Sequence, residues 1–386
     1  MRGVSIIGVG STAFGKLQMS LKEMATKACM DALQDANMSP NMIEAFYLGN
    51  FSSGLLVGEE TVPGHVARSL GIIDIPSVEV EGACSSASIA FRQGYLLVAG
   101  GFCDFVLVAG VEKMTGLPTE KVTETISAPF DYNEANVGLT FPGFFALYMR
   151  RHMHEHGTKR EQFAMVSVKN HKNGVKNPRA QYRKEFTVEE VLNSRVIADP
   201  LRLLECCPIS DGAAAAVLCP SDIAKKYNDT PVDILASVQT TGYSSVYEAF
   251  YNGDTTSFRS TRVAAQQAYR IAKIEPKDID VVELHDCFAP AEIIDSEDLG
   301  FFKKGEGGKA VEEGLSEVGG KIPINPSGGL LSKGHPVGAT GIGQVYELVR
   351  QLRGEHENQV DGAEIALAHN MGGPAIVCTI NILKRR

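Results

Sequence analysis

Residues 78–88 read Val78, Glu79, Val80, Glu81, Gly82, Ala83, Cys84, Ser85, Ser86, Ala87 and Ser88, an apolar stretch that stops at a glycine and gives way to a helical pattern. This pattern is typical of the turn between a β-strand and an α-helix, and it places Cys84 at the start of the helix. Unpaired backbone N–H groups and the helix dipole favour a thiolate there, so Cys84 is a predicted nucleophile. The alternative is an inert buried thiol, which is what most free cysteines are.

Strand-like and helical segments alternate on both sides of this turn. The predicted strands cover residues 4–9, 45–48, 77–80, 105–109, 232–238, 279–284, 365–368 and 375–380. The predicted helices cover residues 20–36, 85–99 and 262–271, with another helix whose first turn contains Pro336. This alternation predicts an α/β fold built from βαβ units around a covered, mostly parallel sheet.

Two segments of the chain share one plan. Residues 81–109 and 327–368 each run from a glycine-containing loop through a reactive side chain and a helix to an apolar strand, and Cys84 and His335 occupy equivalent places. A duplicated lobe would produce this, with two helix N-termini facing each other at a shared cleft. Coincidence of two βα units is the alternative.

Composition excludes several classes of protein. The 386 residues carry a net charge of −9 and are 44% hydrophobic, which favours a folded protein without a global positive field for nucleic acid or an anionic membrane. The eight cysteines show no CxxC spacing, which argues against a zinc knuckle and a disulfide framework, and no metal site is predicted. The apolar runs are short for a bilayer span, so a cytoplasmic location is expected.

The alternation breaks down over residues 116–195. Eight basic residues against one acidic residue fall within 159–184 of this segment. Such a patch is able to hold the phosphates of a cofactor-sized ligand, and a solvated helix face is the alternative.

Three further stretches carry chemistry. His285 and Cys287 follow the predicted strand 279–284, at the end of a strand where ligands gather in open α/β sheets. His335 stands in a glycine-rich loop before a helix, where the dipole favours a neutral imidazole that accepts a thiol proton. Gly372 lies in a turn between two apolar strands, either an ordinary hairpin or a turn whose backbone N–H groups form an oxyanion hole.

Cys84 in its Gly-Ala-Cys-Ser-Ser setting, the His-Asp-Cys-Phe tetrad at 285–288 and the loop 325–341 together resemble the thiolase superfamily. The resemblance spans nearly the whole chain and is strongest to the branch of sterol-carrier-protein-2-type thiolases and archaeal acetyl-CoA acetyltransferases. It implies a five-layered αβαβα fold of two similar halves. Residues 1–115 with 196–230 would form the N-terminal half, 116–195 an inserted loop domain, and 231–386 the C-terminal half.

The resemblance also implies roles for single residues. Cys84 would carry the acyl group and His335 would activate it. Many thiolases use a second cysteine near the C-terminus, where this chain has Asn370, so Cys287 becomes the expected acid/base. His285 and His335 would hold one carbonyl oxygen, and the N–H groups of Cys84 and Gly372 the other.

The function implied is condensation of two acetyl-CoA molecules to acetoacetyl-CoA, as an entry step to isoprenoid synthesis by the mevalonate pathway. Coenzyme A thioesters would be substrates, with no permanently bound cofactor. A homodimer or homotetramer is implied, with HMG-CoA synthase and a small zinc-ribbon/OB-fold protein as further partners. The alternatives are a degradative 3-ketoacyl-CoA thiolase and a non-catalytic thiolase-like scaffold. A ketoacyl synthase leaves Cys287 unused, and an HMG-CoA synthase would need a glutamate acid/base.

Overall fold

A computed structural model describes residues 2–386, which form eleven strands and fifteen α-helices. The strands are β1 (Val4–Ser11), β2 (Ala45–Gly49), β3 (Ser77–Val80), β4 (Val106–Glu112), β5 (Val196–Ala198), β6 (Leu201–Arg202), β7 (Gly212–Pro220), β8 (Val232–Thr241), β9 (Val281–Glu283), β10 (Ile365–Gly372) and β11 (Val377–Arg385). The helices are α1 (Leu21–Asp35), α2 (Ser53–Val57), α3 (Val62–Ser69), α4 (Ser86–Gly100), α5 (Thr119–Ile126), α6 (Tyr132–Asn136), α7 (Phe141–His156), α8 (Arg160–Lys176), α9 (Val188–Asn193), α10 (Val246–Tyr251), α11 (Arg259–Ala272), α12 (Ala289–Asp298), α13 (Gly307–Glu312), α14 (Gly329–Ser332) and α15 (Thr340–Arg353).

Helix α1 shows how the local sequence sets these bounds. Ser20 caps its N-terminus and Glu23 reaches back to the Ser20 N–H, which is a complete capping box. Met24, Ala25 and Ala28 continue a buried stripe at helical spacing, and this stripe packs α1 onto the sheet. The prediction of a helix over 20–36 is therefore confirmed to within one residue at each end.

Nine strands form one sheet in the order β3-β2-β4-β7-β1-β8-β11-β10-β9. The pairs β2–β3, β2–β4 and β9–β10 are parallel, whereas the five pairs from β4 through to β10 are antiparallel. The predicted mostly parallel sheet is therefore wrong. A buried strand is apolar on both faces whichever way it runs, so its composition does not report its direction.

The two halves of the sheet meet where β1 pairs with β8, through only two residue pairs. Helices α4 and α15 lie between the halves and pack on each other, and residues from both halves of the sheet complete this central core. On the outer faces, α1 and α3 cover the first half and α11 covers the second. The α/β thiolase-type arrangement of five layers, αβαβα, is thus confirmed.

The duplicated plan places the two reactive loops side by side. Helices α4 and α15 start close together, because the Gly341 backbone lies directly against Ser88. The sequence predicts Pro336 in the first turn of α15. This prediction is wrong, because α15 begins only at Thr340. Residues 334–339 instead form turns in which the Pro336 carbonyl accepts hydrogen bonds from the Ala339 and Thr340 N–H groups.

The segment between β4 and β7 is mainly helical, with α5 to α9 followed by the small β5–β6 hairpin. Aromatic side chains of α7 form its core, and this core continues into the second half through Phe258 and Phe288. The division of the chain at residues 115, 195 and 230 stays a prediction. Among residues 2–386, no helix combines the length and apolar character needed to cross a membrane.

The contact of β1 with α1 predicts a strong effect of a single methyl group. A Cβ added at Gly10 would lie 2.2 Å from the Ala28 carbonyl oxygen, which is backbone and has no room to retreat. We expect Gly10→Ala to lower the free energy of unfolding by about 1–3 kcal/mol or more. Urea midpoints of the variant and the parent measure this loss.

Gly64→Ala is the matched control. It lies in α3, where the nearest atom to an added Cβ is 3.8 Å away. Removing a helical glycine there is expected to stabilise the protein by about 0.5–1 kcal/mol. Equal midpoints for the two variants would contradict the tight packing of β1 on α1.

Candidate active site

Three of the predicted site residues converge on one point. The sulfur of Cys84 and ring nitrogens of His285 and His335 all lie within 4.8 Å of one another. The two imidazole rings are 5.0 Å apart between centroids, with an angle of 83° between their planes. Cys84 comes from a short 3₁₀ turn before α4, His285 from the loop after β9, and His335 from the loop between α14 and α15. Both halves of the fold therefore contribute to one cleft.

Cys84 is partly exposed, yet enough protein surrounds the thiol for burial to raise its pKa to about 12. Hydrogen bonds from the N–H groups of Gly373 and of Cys84 itself lower this pKa, while the nearby carboxylates Glu112 and Glu81 raise it. The helix start is where the sequence predicts it. Burial is the largest influence on the Cys84 pKa and favours the thiol, against the expected thiolate.

His335 is almost fully buried, and burial lowers its pKa to about 3, so the ring is neutral near pH 7. Its Nδ1 lies 2.7 Å from the Thr340 hydroxyl, and that hydroxyl donates to the Pro336 carbonyl at 3.0 Å. The backbone N–H of His335 donates to Ser210 Oγ at 3.0 Å. The ring and the loop that carries it are thus fixed from both sides.

His285 is also buried and neutral. Burial lowers its pKa well below the ordinary value, and the nearby His335 and His369 add to this. Its Nδ1 accepts a hydrogen bond from the Asn370 side-chain amide at 2.9 Å. The next residue, Asp286, accepts from the backbone N–H groups of Leu330 at 2.7 Å and Leu331 at 3.3 Å, and so ties the tetrad to α14.

Cys287 lies 6% exposed between the reactive loops and the aromatic core of the helical segment. Burial raises its pKa well above the ordinary value, with further increases from Cys207 and Cys84 nearby. Its carbonyl accepts from the Cys207 N–H at 3.0 Å, which fixes the backbone of the tetrad. Cys287 therefore stands close to Cys84 as a second protonated thiol.

Gly372 ends β10 directly beside the nucleophile. A Cβ on this residue would lie 2.2 Å from the Gly82 carbonyl oxygen, so only glycine allows the strand to approach the turn before Cys84. The amide that reaches the Cys84 sulfur belongs to the following residue, Gly373. The turn between β10 and β11 thus directs the Gly373 N–H at the Cys84 sulfur, and the role of the Gly372 N–H stays a prediction.

Glu112 is a residue beside the site that sequence reasoning missed. Its carboxylate is fully buried at the end of β4 and accepts from the N–H groups of Phe51 at 2.9 Å and Gly338 at 3.0 Å, and from the Asn50 amide at 3.2 Å. Burial raises its pKa to about 7. The available signal was an acidic residue at the end of the apolar strand β4. A buried carboxyl group there needs several hydrogen-bond donors, which indicates that loops converge on it.

The basic cluster of residues 159–184 does not form a free patch. Arg160 pairs with Glu205, and Lys169 is buried against Glu292. Lys172 pairs with Glu317 on the surface, and Arg179 stacks over the Tyr346 ring. The eight residues therefore do not form one free patch, but Lys159, Arg183 and Lys184 are exposed. A phosphate site in this segment stays a prediction, and the residues that contact coenzyme A stay unknown.

Comparison with known proteins agrees with this geometry. The family description "Thiolase, N-terminal domain" matches residues 4–222, and "Thiolase C-terminal domain-like" matches residues 242–385. An acetyl-CoA acetyltransferase of Methanothermobacter thermautotrophicus is 48% identical, with all of both chains covered. Sterol carrier protein 2 of Oryctolagus cuniculus is 40% identical over 98% of this chain and 71% of that protein. The solved structure of an Ltp2-ChsH2(DUF35) aldolase superposes with a TM-score of 0.86 at 28% identity, covering 99% of this chain and 98% of that one. The chain belongs to the thiolase family and is an acyltransferase.

Proposed function

We propose that this protein is an acetyl-CoA C-acetyltransferase that joins two acetyl-CoA molecules into acetoacetyl-CoA and coenzyme A. The observation that carries the proposal is the meeting of the Cys84 sulfur with ring nitrogens of His285 and His335 within 4.8 Å. A thiol nucleophile suits the substrate, because acetyl-CoA is a thioester and exchange with a cysteine replaces one thioester by another. The full-length similarity to an acetyltransferase supports the same acyl group.

His335 is suited to act as the base for Cys84. We infer that the Thr340 hydroxyl gives its one hydrogen to the Pro336 carbonyl, so that its oxygen accepts from His335 Nδ1–H. The neutral ring therefore carries its lone pair on Nε2. In the first step this atom takes the Cys84 proton while the sulfur bonds to the acetyl carbon. The carbon–sulfur bond to coenzyme A then breaks.

Cys287 is the proposed acid/base. Its proton passes to the departing coenzyme A thiolate, which leaves a Cys287 thiolate of high pKa in the cleft. That thiolate removes a proton from the methyl group of the second acetyl-CoA. The resulting enolate attacks the acetyl-Cys84 carbonyl, Cys84 leaves as a thiolate, and protonated His335 returns its proton. All three groups then regain their starting states, and no outside proton source is needed.

Two sets of donors face the developing negative charges. We propose that His285 Nε2–H and protonated His335 stabilise the enolate oxygen, and that the N–H groups of Cys84 and Gly372 stabilise the tetrahedral oxygen on the acetyl group. Each well-placed donor of this kind is worth roughly 3–4 kcal/mol of barrier. No permanently bound cofactor is needed for these steps.

We also propose that the product feeds the mevalonate pathway and that the protein forms homo-oligomers in the cytoplasm. The exposed edge strand β3, with Val78 outward, supports pairing with a second copy, since unpaired edges are commonly covered. HMG-CoA synthase and a small zinc-ribbon/OB-fold protein stay proposed partners. The aldolase relative is named together with a ChsH2(DUF35) component, which supports assembly of this chain with a second protein.

The covalent step predicts a mass change. After incubation with acetyl-CoA, intact protein should gain the mass of one acetyl group on Cys84, and Cys84→Ala should gain none. Cys287→Ala should still be labelled but lose condensation by about 10²–10⁴-fold, since it removes only the acid/base. Cys103→Ala is the control that should behave as wild type, because Cys103 follows the C-terminal end of α4, the end away from Cys84. An unlabelled wild-type protein would favour the scaffold alternative.

The raised pKa of Cys84 predicts how alkylation depends on pH. With a thiol pKa of about 12, the thiolate fraction grows about tenfold per pH unit throughout the neutral range. The rate of iodoacetamide labelling at Cys84, followed by peptide mass spectrometry, should therefore rise steadily from about pH 7 to 9. A plateau beginning below pH 7 would instead indicate a preformed thiolate–imidazolium pair.

The apolar surroundings of Cys84 favour a short acyl group. Its side chain packs against a small buried cluster of Leu56, Met114, Val122 and Val337. We expect acetyl-CoA and acetoacetyl-CoA to be preferred over longer acyl-CoA and 3-ketoacyl-CoA substrates. Met114→Ala should raise kcat/KM for longer chains by about 10–200-fold per accommodated methylene, the usual range for an apolar pocket.

Met42→Ala is the control for this variant, because Met42 packs in the outer layer of the first half. Its chain-length profile should match that of the wild type. A wild-type enzyme that strongly prefers long 3-ketoacyl-CoA substrates would support the degradative thiolase and end the biosynthetic assignment.

A further inference from the structure

Asn370 occupies the position at which many thiolases carry their second cysteine, and its contacts indicate a role in orienting His285. It lies on β10, 1% exposed, directly behind His285. Its side-chain oxygen accepts from the Ser88 hydroxyl at 3.3 Å, and its side-chain nitrogen lies 2.9 Å from His285 Nδ1. Its backbone oxygen accepts from the Ser85 hydroxyl at 3.1 Å, so two residues just after the nucleophile hold it in place.

These contacts fix where His285 carries its hydrogen. An amide nitrogen is only a donor, so the facing Nδ1 must accept. A neutral imidazole has one N–H, which is therefore on Nε2. The neighbouring His335 has the opposite arrangement, because Thr340 accepts from its Nδ1 and leaves the lone pair on Nε2. Two neutral imidazoles 5.0 Å apart thus present one donor and one acceptor to the same cleft.

Without this arrangement of hydrogens, Cys84, His285 and His335 would make a metal site. A thiol and two imidazole nitrogens within 4.8 Å of one another are a common donor set for Zn²⁺. Ligation through His285 Nε2 needs a lone pair there and the hydrogen on Nδ1, where it would meet the Asn370 amide hydrogens. Metal-bound histidines have the reverse environment, with their second nitrogen donating to a carboxylate or carbonyl oxygen.

We propose that Asn370 is a positioning residue that holds His285 as an Nε2–H donor, and that this both supplies the enolate donor and keeps the Cys84–His285–His335 group from binding a metal. The first consequence rests on the proposed function. The second depends only on the arrangement of hydrogen-bond donors and acceptors. Asn370 acts through His285 and is not placed in contact with the substrate.

Asn370→Asp tests both consequences in one isosteric change, because it replaces the amide by an acceptor. His285 Nδ1 should then carry the hydrogen and Nε2 the lone pair. Condensation should fall by about 10²–10³-fold, the usual loss for one oxyanion donor. Affinity for Zn²⁺, titrated against a chelating dye, should rise by about 10–100-fold, because the histidine gains a carboxylate partner. A merely structural role for Asn370 would not produce tighter metal binding.

Two further variants keep the test decisive. Asn381→Asp changes a buried asparagine on β11 that accepts a hydrogen bond from the Ser237 hydroxyl. In the fraction of this variant that folds, zinc affinity and condensation should match those of the wild type. Asn370→Ala removes the donor without adding an acceptor, and it should lose condensation with a smaller gain in zinc affinity. It replaces the aspartate variant if that one fails to fold.

The tautomer itself is measurable in the wild-type protein. Nitrogen-15 NMR of labelled histidines should place the His285 hydrogen on Nε2 and the His335 hydrogen on Nδ1. A His285 hydrogen on Nδ1, or an Asn370→Asp protein with unchanged zinc affinity, would overturn the proposal. Absence of acetyl transfer in the wild type would instead reject the proposed function, while the NMR and zinc measurements would still decide the role of Asn370.

Discussion

Buried carboxylates that accept backbone N–H groups hold the reactive loops together, and the rest of the site depends on them. Asp286 binds the start of α14, and Glu283 binds Ser327 through both its N–H at 3.0 Å and its hydroxyl at 2.6 Å. Glu112 joins the loop after β2 to Gly338, three residues beyond His335. Loops without regular structure have many unpaired amides, and a buried carboxyl group satisfies several of them at once. The cost of burying these polar groups is thereby offset, because their hydrogen bonds fix loops from both halves of the fold.

With its loops fixed, the cleft can remain uncharged at rest. Burial raises the pKa values of Cys84 and Cys287 and lowers those of His285 and His335, so all four groups are neutral near pH 7. A neutral cleft avoids the cost of isolated buried ions. In the proposed mechanism, charge appears only while substrate atoms share it, and the donors that stabilise it are already oriented. A thiol of high pKa would then act as a nucleophile because a neutral base lies beside it.

The sequence predicts those features that depend on local pattern. Strand and helix positions, the turn at Cys84 and the juxtaposition of Cys84 with His335 all follow from periodicity, glycine placement and the repeated plan. Strand direction does not, since an apolar strand such as β7 reads the same in either direction. The ion pairs of Lys169 and Arg160 cannot be predicted either, because their partners Glu292 and Glu205 are distant in sequence and only folding brings them near. The thiol state of Cys84 and the anchoring by Glu112 depend on burial, which spacing along the chain does not reveal.

The position of Asn370 links the two departures of this chain from the commoner thiolase arrangement. A cysteine on β10 would supply the acid/base thiol but would offer His285 no comparable donor. In the proposed mechanism, placing the thiol at Cys287, on the same short loop as His285, leaves the β10 position to a residue that orients the imidazole. Each change is useful because of the other, since an enolate donor without a base, or a base without an enolate donor, would leave condensation slow. In the proposed mechanism the two positions are therefore coupled: Cys287 supplies the thiol that β10 lacks, and Asn370 on β10 sets which nitrogen of His285 carries its hydrogen.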